Sequence, residues 1–281
     1  MTLKRDDVHH LLKNSIRKHK SSFSKQEKDF ILQLHDPTDA TVPVFYLLIK
    51  VHKNPIKGRP IAAAHSWITT GASIWLTEKL IPVVNALPTV LRCSDDLVND
   101  LKQLKLKREV GKQTWLLAAD IVSFYPSIPH ELGRKAVKTA IRRSGVYKDQ
   151  PELVDAIMDV LKIVLENNYV EFLHEFYHQI QGTAMGTNCA VVYANIVGWY
   201  IEMYPTALCN NTGLLQYYKR FVDDSFAVLQ GTRQEVLQFI ELLNSRSKTI
   251  NFTFELSQTA VDFMDLTIFL DERRPGQILT K

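Results

Sequence analysis

Several features that would place a chain quickly are missing from this one. No run of about 18 apolar residues occurs, so nothing reads as a membrane-spanning helix. The N-terminus is polar and basic, without the apolar core of a secretory leader, which points to an intracellular protein. Cysteine is scarce. Cys93, Cys189 and Cys209 are odd in number and lack ligand spacing, which excludes a disulfide scaffold and leaves reduced structural thiols. The scattered histidines form no pair at metal-ligand spacing. No internal repeat, low-complexity segment or linker interrupts the 281 residues.

What remains is a chain long enough to bury a substantial core in one large domain or two closely joined subdomains. The net charge of +4 is unevenly spread. Residues 1–60 carry twelve Lys and Arg against six Asp and Glu, giving +6, so the remainder sums to −2. A basic front on a near-neutral body suits a polyanionic partner, although a solvated basic face would give the same balance.

Residues 1 to about 35 read as basic helix, ended by Asp36-Pro37. Val42 to Val51 is a strand candidate, followed by a Pro- and Gly-punctuated turn carrying Lys50, Lys53, Lys57 and Arg59. A hairpin presenting those cations could grip phosphates. Residues 66–91 look mostly helical, and Lys102, Lys105, Lys107, Arg108 and Lys112 form a basic run read as a solvated face. Trp115 to Ala119 is a short apolar run of the kind that fills a central strand, and it ends in Asp120. A helix is expected to start over Pro126 to His130, with Pro129 in its first turn, and another over Pro151 to Glu166, where the apolar spacing is clearest. Two short strands follow around Leu173-His174-Glu175. A flexible loop, Gln181 to Thr187, then leads into a helix from about Asn188 that Pro205 closes. On that helix Ala190, Ala194 and Gly198 stand four apart and leave one face bare, open to another element or to a flat ligand. A helix around Val236 to Leu243 and two strand-like runs, 250–255 and 261–270, complete the chain.

Between the last two long helices lies Phe221-Val222-Asp223-Asp224, flanked by aromatic and branched residues, which reads as a β-hairpin with two aspartates at its bend. Adjacent acids in an apolar hairpin are costly unless a cation or a hydrogen-bond network takes up their charge. An Asp-Asp turn used only for backbone bonding is the plainer reading. Asp120, at the end of a buried strand, is the reason to look further. Three carboxylates sharing a site would hold Mg²⁺, a hard cation that takes oxygen ligands and leaves positions for substrate phosphates.

In order and spacing, Asp120-x4-Tyr125, Gln181-Gly182-x3-Gly186 and Phe221-Val222-Asp223-Asp224 resemble palm motifs A, B and C of reverse transcriptases. The finer resemblance is to the Penelope-like retroelement group, relatives of telomerase reverse transcriptase. It is carried by Lys50-Val51-His52-Lys53, Arg59-Pro60-Ile61, Ser123 to His130, Gly182 to Thr187 and Phe263-Met264-Asp265-Leu266, and it covers residues 42–281.

That resemblance implies an α+β fold: a right-hand polymerase palm, an antiparallel sheet packed on helices, with a fingers subdomain and a missing or truncated thumb. Residues 1–41 would be a basic helical segment, 42–114 the fingers, and 115–281 the palm with motifs A to E. The activity implied is RNA-directed DNA polymerisation with two Mg²⁺ ions, or Mn²⁺ in their place. Asp120 and Asp223 would hold the metals, with Asp224 beside them and the Ile121 carbonyl as a backbone ligand. Arg59, Lys53 and Lys50 would meet the incoming triphosphate. Tyr125, with Phe124 next to it, would sit beneath the sugar. Gln181 and Gly182 would lie against the nascent base pair and template, and Phe221 and Val222 against primer and template. Lys248 is the candidate proton donor to pyrophosphate. The partners implied are an RNA template, a DNA primer and deoxynucleoside triphosphates, with no membrane. For a eukaryotic element the place of action would be the nucleus.

The sequence ends where the family continues into its thumb, and the GIY-YIG endonuclease domain of many members is absent, so weak template grip is expected. Two rival readings remain. A viral RNA-dependent RNA polymerase shares the palm acids, but typically has an aspartate where Tyr125 stands and a glycine where Val222 stands. A catalytically inactive palm that only binds nucleic acid is the other.

Overall fold

A computed structural model describes residues 5–34, 36–51, 56–106, 111–271 and 276–281, with Lys57 described for its backbone alone. In chain order the elements are α1 (Arg5–Lys18), a 3-10 turn (Lys20–Ser22), α2 (Lys25–Gln33), β1 (Phe45–Lys50), β2 (Lys57–Ala62), α3 (Thr70–Asn85), α4 (Ser94–Gln103) and β3 (Gln113–Ile121). Then come α5 (Phe124–Ser127), α6 (His130–Ser144), α7 (Pro151–Glu166), β4 (Tyr169–Phe172), β5 (Glu175–His178) and α8 (Ala190–Asn211). The last are β6 (Leu215–Phe221), β7 (Asp224–Gly231), α9 (Arg233–Asn244), β8 (Phe252–Ser257), β9 (Ala260–Phe263), β10 (Leu266–Leu270) and β11 (Ile278–Thr280). They form two units, each drawn from two stretches of chain: Met1–Ala86 with Tyr125–Ile196, and Leu87–Phe124 with Val197–Lys281.

The first unit is mainly helical. Helix α1 opens on Asp6 and Asp7 and closes on Arg17 and Lys18, charges that suit the two ends of the helix dipole. A capping box starts α2: the Ser24 hydroxyl accepts from the Glu27 amide at 3.1 Å, and the Glu27 carboxylate accepts from the Ser24 amide at 2.7 Å. Helix α7 begins on Pro151, whose missing N–H costs nothing in a first turn, and buries Ile157, Val160, Leu161, Val164 and Leu165 along one stripe. Its Asp159 accepts from Lys18 Nζ at 2.6 Å and from His19 Nε2 at 2.7 Å, tying α7 to the end of α1. Two antiparallel hairpins, β1–β2 and β4–β5, meet where Val44 bridges Glu171 and the Phe45 ring stands edge-on to Phe172. Although β1 is apolar, Tyr46, Leu47, Leu48 and Ile49 are each about half exposed.

An antiparallel four-stranded sheet, in the order β6-β7-β3-β8, centres the second unit. Trp115, Leu116 and Leu117 are buried in β3, as their unbroken apolar run requires. Strand β7 is buried from Ser225 to Gly231, because both of its faces are covered. On one side Leu97 and Leu101 of α4, Val261 and Phe263 of β9 and Ile268 of β10 pack with Leu116, Phe226 and Val228. Helix α9 lies against β7 and β8 and buries Val236, Phe239, Ile240 and Leu243. Each such side chain contributes about 1.5–3 kcal/mol relative to exposure, so this core holds the sheet that carries the strand ends.

Several expectations need correction. Pro205 lies inside α8 instead of closing it. Losing its N–H costs a helix about 3 kcal/mol in isolation, but buried Ile201, Glu202, Thr206 and Cys209 hold the turn in place. The Thr206 hydroxyl also donates to the Glu202 carbonyl at 2.8 Å. The run 261–270 is not one strand but the hairpin β9–β10, turned at Met264, whose φ is +57°. Pro129 is the N-cap of α6, one position before its first turn, and residues 124–127 form a helix of their own. Cys93 is exposed, while Cys189 and Cys209 are buried thiols. Among the described residues no helix is long and apolar enough to cross a membrane.

Candidate active site

In the second unit, β6 and β7 are joined by a two-residue turn, Val222-Asp223, closed by the pairing of Phe221 with Asp224. The turn needs a positive φ at its first central position, where glycine is usual, and Val222 supplies it at +56°. A β-branched residue there is strained. On the other side of β7, Asp120 of β3 stands directly opposite Asp224. The Ile121 amide donates to the Asp223 carbonyl at 3.0 Å, which fastens the turn to the end of β3. Acids a hundred residues apart in the chain therefore meet at one strand end. Asp120 is exposed, while Asp223 and Asp224 are half-buried.

Opposed residues of an antiparallel pair carry their side chains on the same face, so Asp120 and Asp224 present hard oxygen donors together. Among the described residues, no three His, Cys, Asp or Glu side chains gather into a ready-made metal cluster, those of Asp120, Asp223 and Asp224 included. Mg²⁺ asks for one or two carboxylates plus substrate phosphates, not a closed protein cage, so the donor set fits it.

What holds this hairpin is a feature absent from the sequence expectations. Arg220, two residues before the turn, is fully buried, as is Glu202 of α8. Arg220 Nε donates to Glu202 Oε2 at 2.8 Å, and its Nη1 donates to the Val222 carbonyl at 2.7 Å. Tyr218 donates to Glu202 Oε2 at 2.9 Å, and the Thr89 hydroxyl donates to Oε1. Burial, then the neighbouring Glu202 charge, pushes the Tyr218 phenol well above its ordinary range. The Arg220 backbone is held as well. Its amide donates to the Thr89 carbonyl at 2.7 Å, and its carbonyl accepts from the Leu91 amide at 2.8 Å. The bare stripe on α8 was the one available signal. At Gly198 it is filled by the Arg220 guanidinium, so packing explains that residue and no flat ligand is needed there.

In the first unit, three expected motifs are stitched together. The Gly182 amide donates to the Ile128 carbonyl at 2.9 Å, and the Thr183 amide to the Tyr125 carbonyl at 3.0 Å. His130 Nε2 donates to the Gly182 carbonyl at 2.8 Å. Gly182 has φ +80°, and a Cβ on it would lie 2.5 Å from Pro126 Cα, so glycine is required twice over. The Gln181 amide nitrogen reaches the Pro126 and Ser127 carbonyls only at 3.5 Å and stays exposed. At the far end of the loop, the Ala62 amide donates to the Met185 carbonyl at 2.9 Å, anchoring it to β2. The loop expected to be flexible is therefore tied at both ends.

Tyr125 is half-buried, whereas Phe124 is 2% exposed and belongs to the core. Arg59 is exposed on β2 opposite Leu48, and Lys50 pairs with Lys57 at the end of the hairpin. Lys53, Lys107 and Arg108 lie outside the described residues. Lys248 is exposed between α9 and β8.

No protein-family model and no curated protein sequence matches the chain. Solved structures do. Telomerase from Candida tropicalis, truncated from its C-terminal domain, superposes with a TM-score of 0.61 at 11% identity, over 86% of this chain and 55% of that one. Telomerase from Candida albicans, in complex with a fragment of telomeric RNA, gives 0.60 at 11% identity, over 97% and 49%. The RNA-dependent RNA polymerase of BmCPV in its quiescent state gives 0.60 at 10% identity, over 94% and 25%. The fold is thus that of template-directed polymerases, with the antiparallel sheet on helices of their palm. The chain spans about half the length of the telomerase chains and a quarter of the viral one.

Proposed function

We propose that this chain is an RNA-directed DNA polymerase, a reverse transcriptase of the Penelope-like retroelement group, copying an RNA template onto a DNA primer from deoxynucleoside triphosphates. The observation that carries the reading is the register of Asp120 against Asp224, beside a turn bearing Asp223, within a polymerase fold. Residues 42–114 act as fingers and 115–281 as palm.

Asp120, Asp223 and Asp224 hold the metals, with the Ile121 carbonyl as a further ligand. The chemistry that two Mg²⁺ ions (or Mn²⁺) supply there is activation of the primer hydroxyl and neutralisation of the departing pyrophosphate. Arg59 takes the triphosphate by paired hydrogen bonds, with Lys50 and Lys53 adding charge. Tyr125 fills the space beneath the sugar. Gln181 and Gly182 carry the base pair, Phe221 and Val222 border the primer, and Lys248 gives a proton to the leaving group.

A second reading, an RNA-dependent RNA polymerase, draws on the likeness to the viral enzyme; Tyr125 argues against it, because an aromatic ring beneath the sugar leaves no room for a 2′-hydroxyl. Primer extension by purified protein on RNA and DNA templates, offered deoxy- or ribonucleotides, separates the readings. Deoxynucleotide addition directed by an RNA template supports the proposal. A preference for ribonucleotides moves the chain to the second reading. Binding without extension leaves only a nucleic-acid-binding palm.

A further inference from the structure

We infer that Arg220 and Glu202 are positioning residues: a buried ion pair that clamps the Val222 carbonyl and so fixes the turn presenting Asp223 and Asp224 to Asp120. The inference rests on the reading of those aspartates as the metal-binding acids, and goes beyond it by assigning the device that aims them.

The pair is poorly explained as a source of stability. Burying two charges costs several kcal/mol per ion before their attraction is counted, and apolar residues of the same volume often serve as well or better. Arg220 and Glu202 are nevertheless wholly enclosed, each with its backbone or side chain held by further partners. One arm of the guanidinium is committed outside the pair, to the carbonyl of the strained residue in the turn. A strained φ persists only where its surroundings over-determine it. Here the constraint is a planar fork. Nε is fixed by Glu202, which sets the direction of Nη1 and hence the plane of the Val222–Asp223 peptide. The opposite edge of the same turn is caught by the Ile121 amide on the Asp223 carbonyl. Released from Arg220, the turn would relax about Val222, and the carboxylates would lose their register with Asp120.

The test uses Arg220→Lys, which keeps a cation for Glu202 but loses the fork. Three quantities are measured on the purified chain: the urea midpoint, amide hydrogen exchange at Ile121 and Leu117, and Mn²⁺ affinity by electron paramagnetic resonance. The expected result is exchange at Ile121 faster by about tenfold, the loss of one charge-assisted hydrogen bond. Leu117, mid-strand opposite Ala227, should be unchanged, and Mn²⁺ binding should weaken by a similar factor. Equal acceleration at Ile121 and Leu117 would show a merely structural pair and overturn the inference, as would no change at Ile121. Should Arg220→Lys not fold, Glu202→Gln reads the same two amides, and selective loosening at Ile121 is again the supporting result. None of these readouts needs catalysis. A parent chain that never extends a primer removes the polymerase reading, whereas the amide comparison decides the clamp on its own.

Discussion

Gly198 lies so close to Arg220 that a Cβ added to it would stand 2.4 Å from the guanidinium carbon and 2.6 Å from Nε. Glycine to alanine inside an exposed helix normally stabilises by about 1 kcal/mol. At this position the sign should reverse. Gly198→Ala must displace a buried, hydrogen-bonded guanidinium, and the expected loss is about 1–3 kcal/mol. Urea unfolding measures it, and a gain in stability would show that the contact is slack.

Val222 offers the opposite case. Its φ of +56° suits glycine, and removing the β-branched side chain should relieve strain. Val222→Gly is expected to stabilise the folded chain by about 1 kcal/mol, net of the extra freedom glycine gives the unfolded state. A lower denaturation midpoint would mean that the valine packs better than its backbone angle suggests.

In the first unit, Glu27 ties α2 to α3. Burial alone would raise its pKa, but Lys79 at 2.8 Å, the Ser24 amide and the Trp75 indole outweigh that and hold it at about 2 against an ordinary 4.5. A depressed folded-state pKa gives stability that is present above 4.5 and lost as pH falls toward 2. The parent should therefore lose more of its thermal midpoint over that window than Glu27→Gln does. Parallel curves for the two proteins would show that the carboxylate is not coupled to folding.

Most elements could be read from the chain because their signals are local. Pro151 and a stripe of branched residues specify α7, and an apolar run ending in an acid specifies β3. The acids of the site were legible for the same reason: each closes or turns a strand. What was hidden depends on contacts distant in sequence. Arg220 looks like one more cation beside Lys219 until Glu202, Thr89 and Gly198 are seen around it. Pro205 looks like a stop signal, and burial overrides it. The turn that splits residues 261–270 gave no Gly or Pro warning, since Met264 adopts the left-handed conformation itself.

Tyr125 carries the choice of sugar in the proposed mechanism. Its carbonyl is fixed by the Thr183 amide whatever its side chain, so Tyr125→Val removes the ring without freeing the backbone. The ratio of kcat/KM for a deoxynucleotide to that for its ribonucleotide should fall by about tenfold or more, equivalent to about 1.4 kcal/mol. A ratio that stays put, with both rates lowered together, would make Tyr125 an ordinary packed aromatic whose loss costs only stability.

The most direct measurement is primer extension on an RNA template with deoxynucleotides and Mg²⁺, comparing the parent with Asp120→Asn and Asp223→Asn. An amide cannot replace an anionic oxygen ligand for a hard cation. Both variants should fold, since removing one negative charge from a strand end that carries Asp120 opposite Asp224 relieves repulsion. Both should fall below the parent by about a thousandfold or more, the scale of losing several kcal/mol of electrostatic stabilisation. Template-directed extension by folded Asp223→Asn at the rate of the parent would contradict the assignment of this strand end as the catalytic centre.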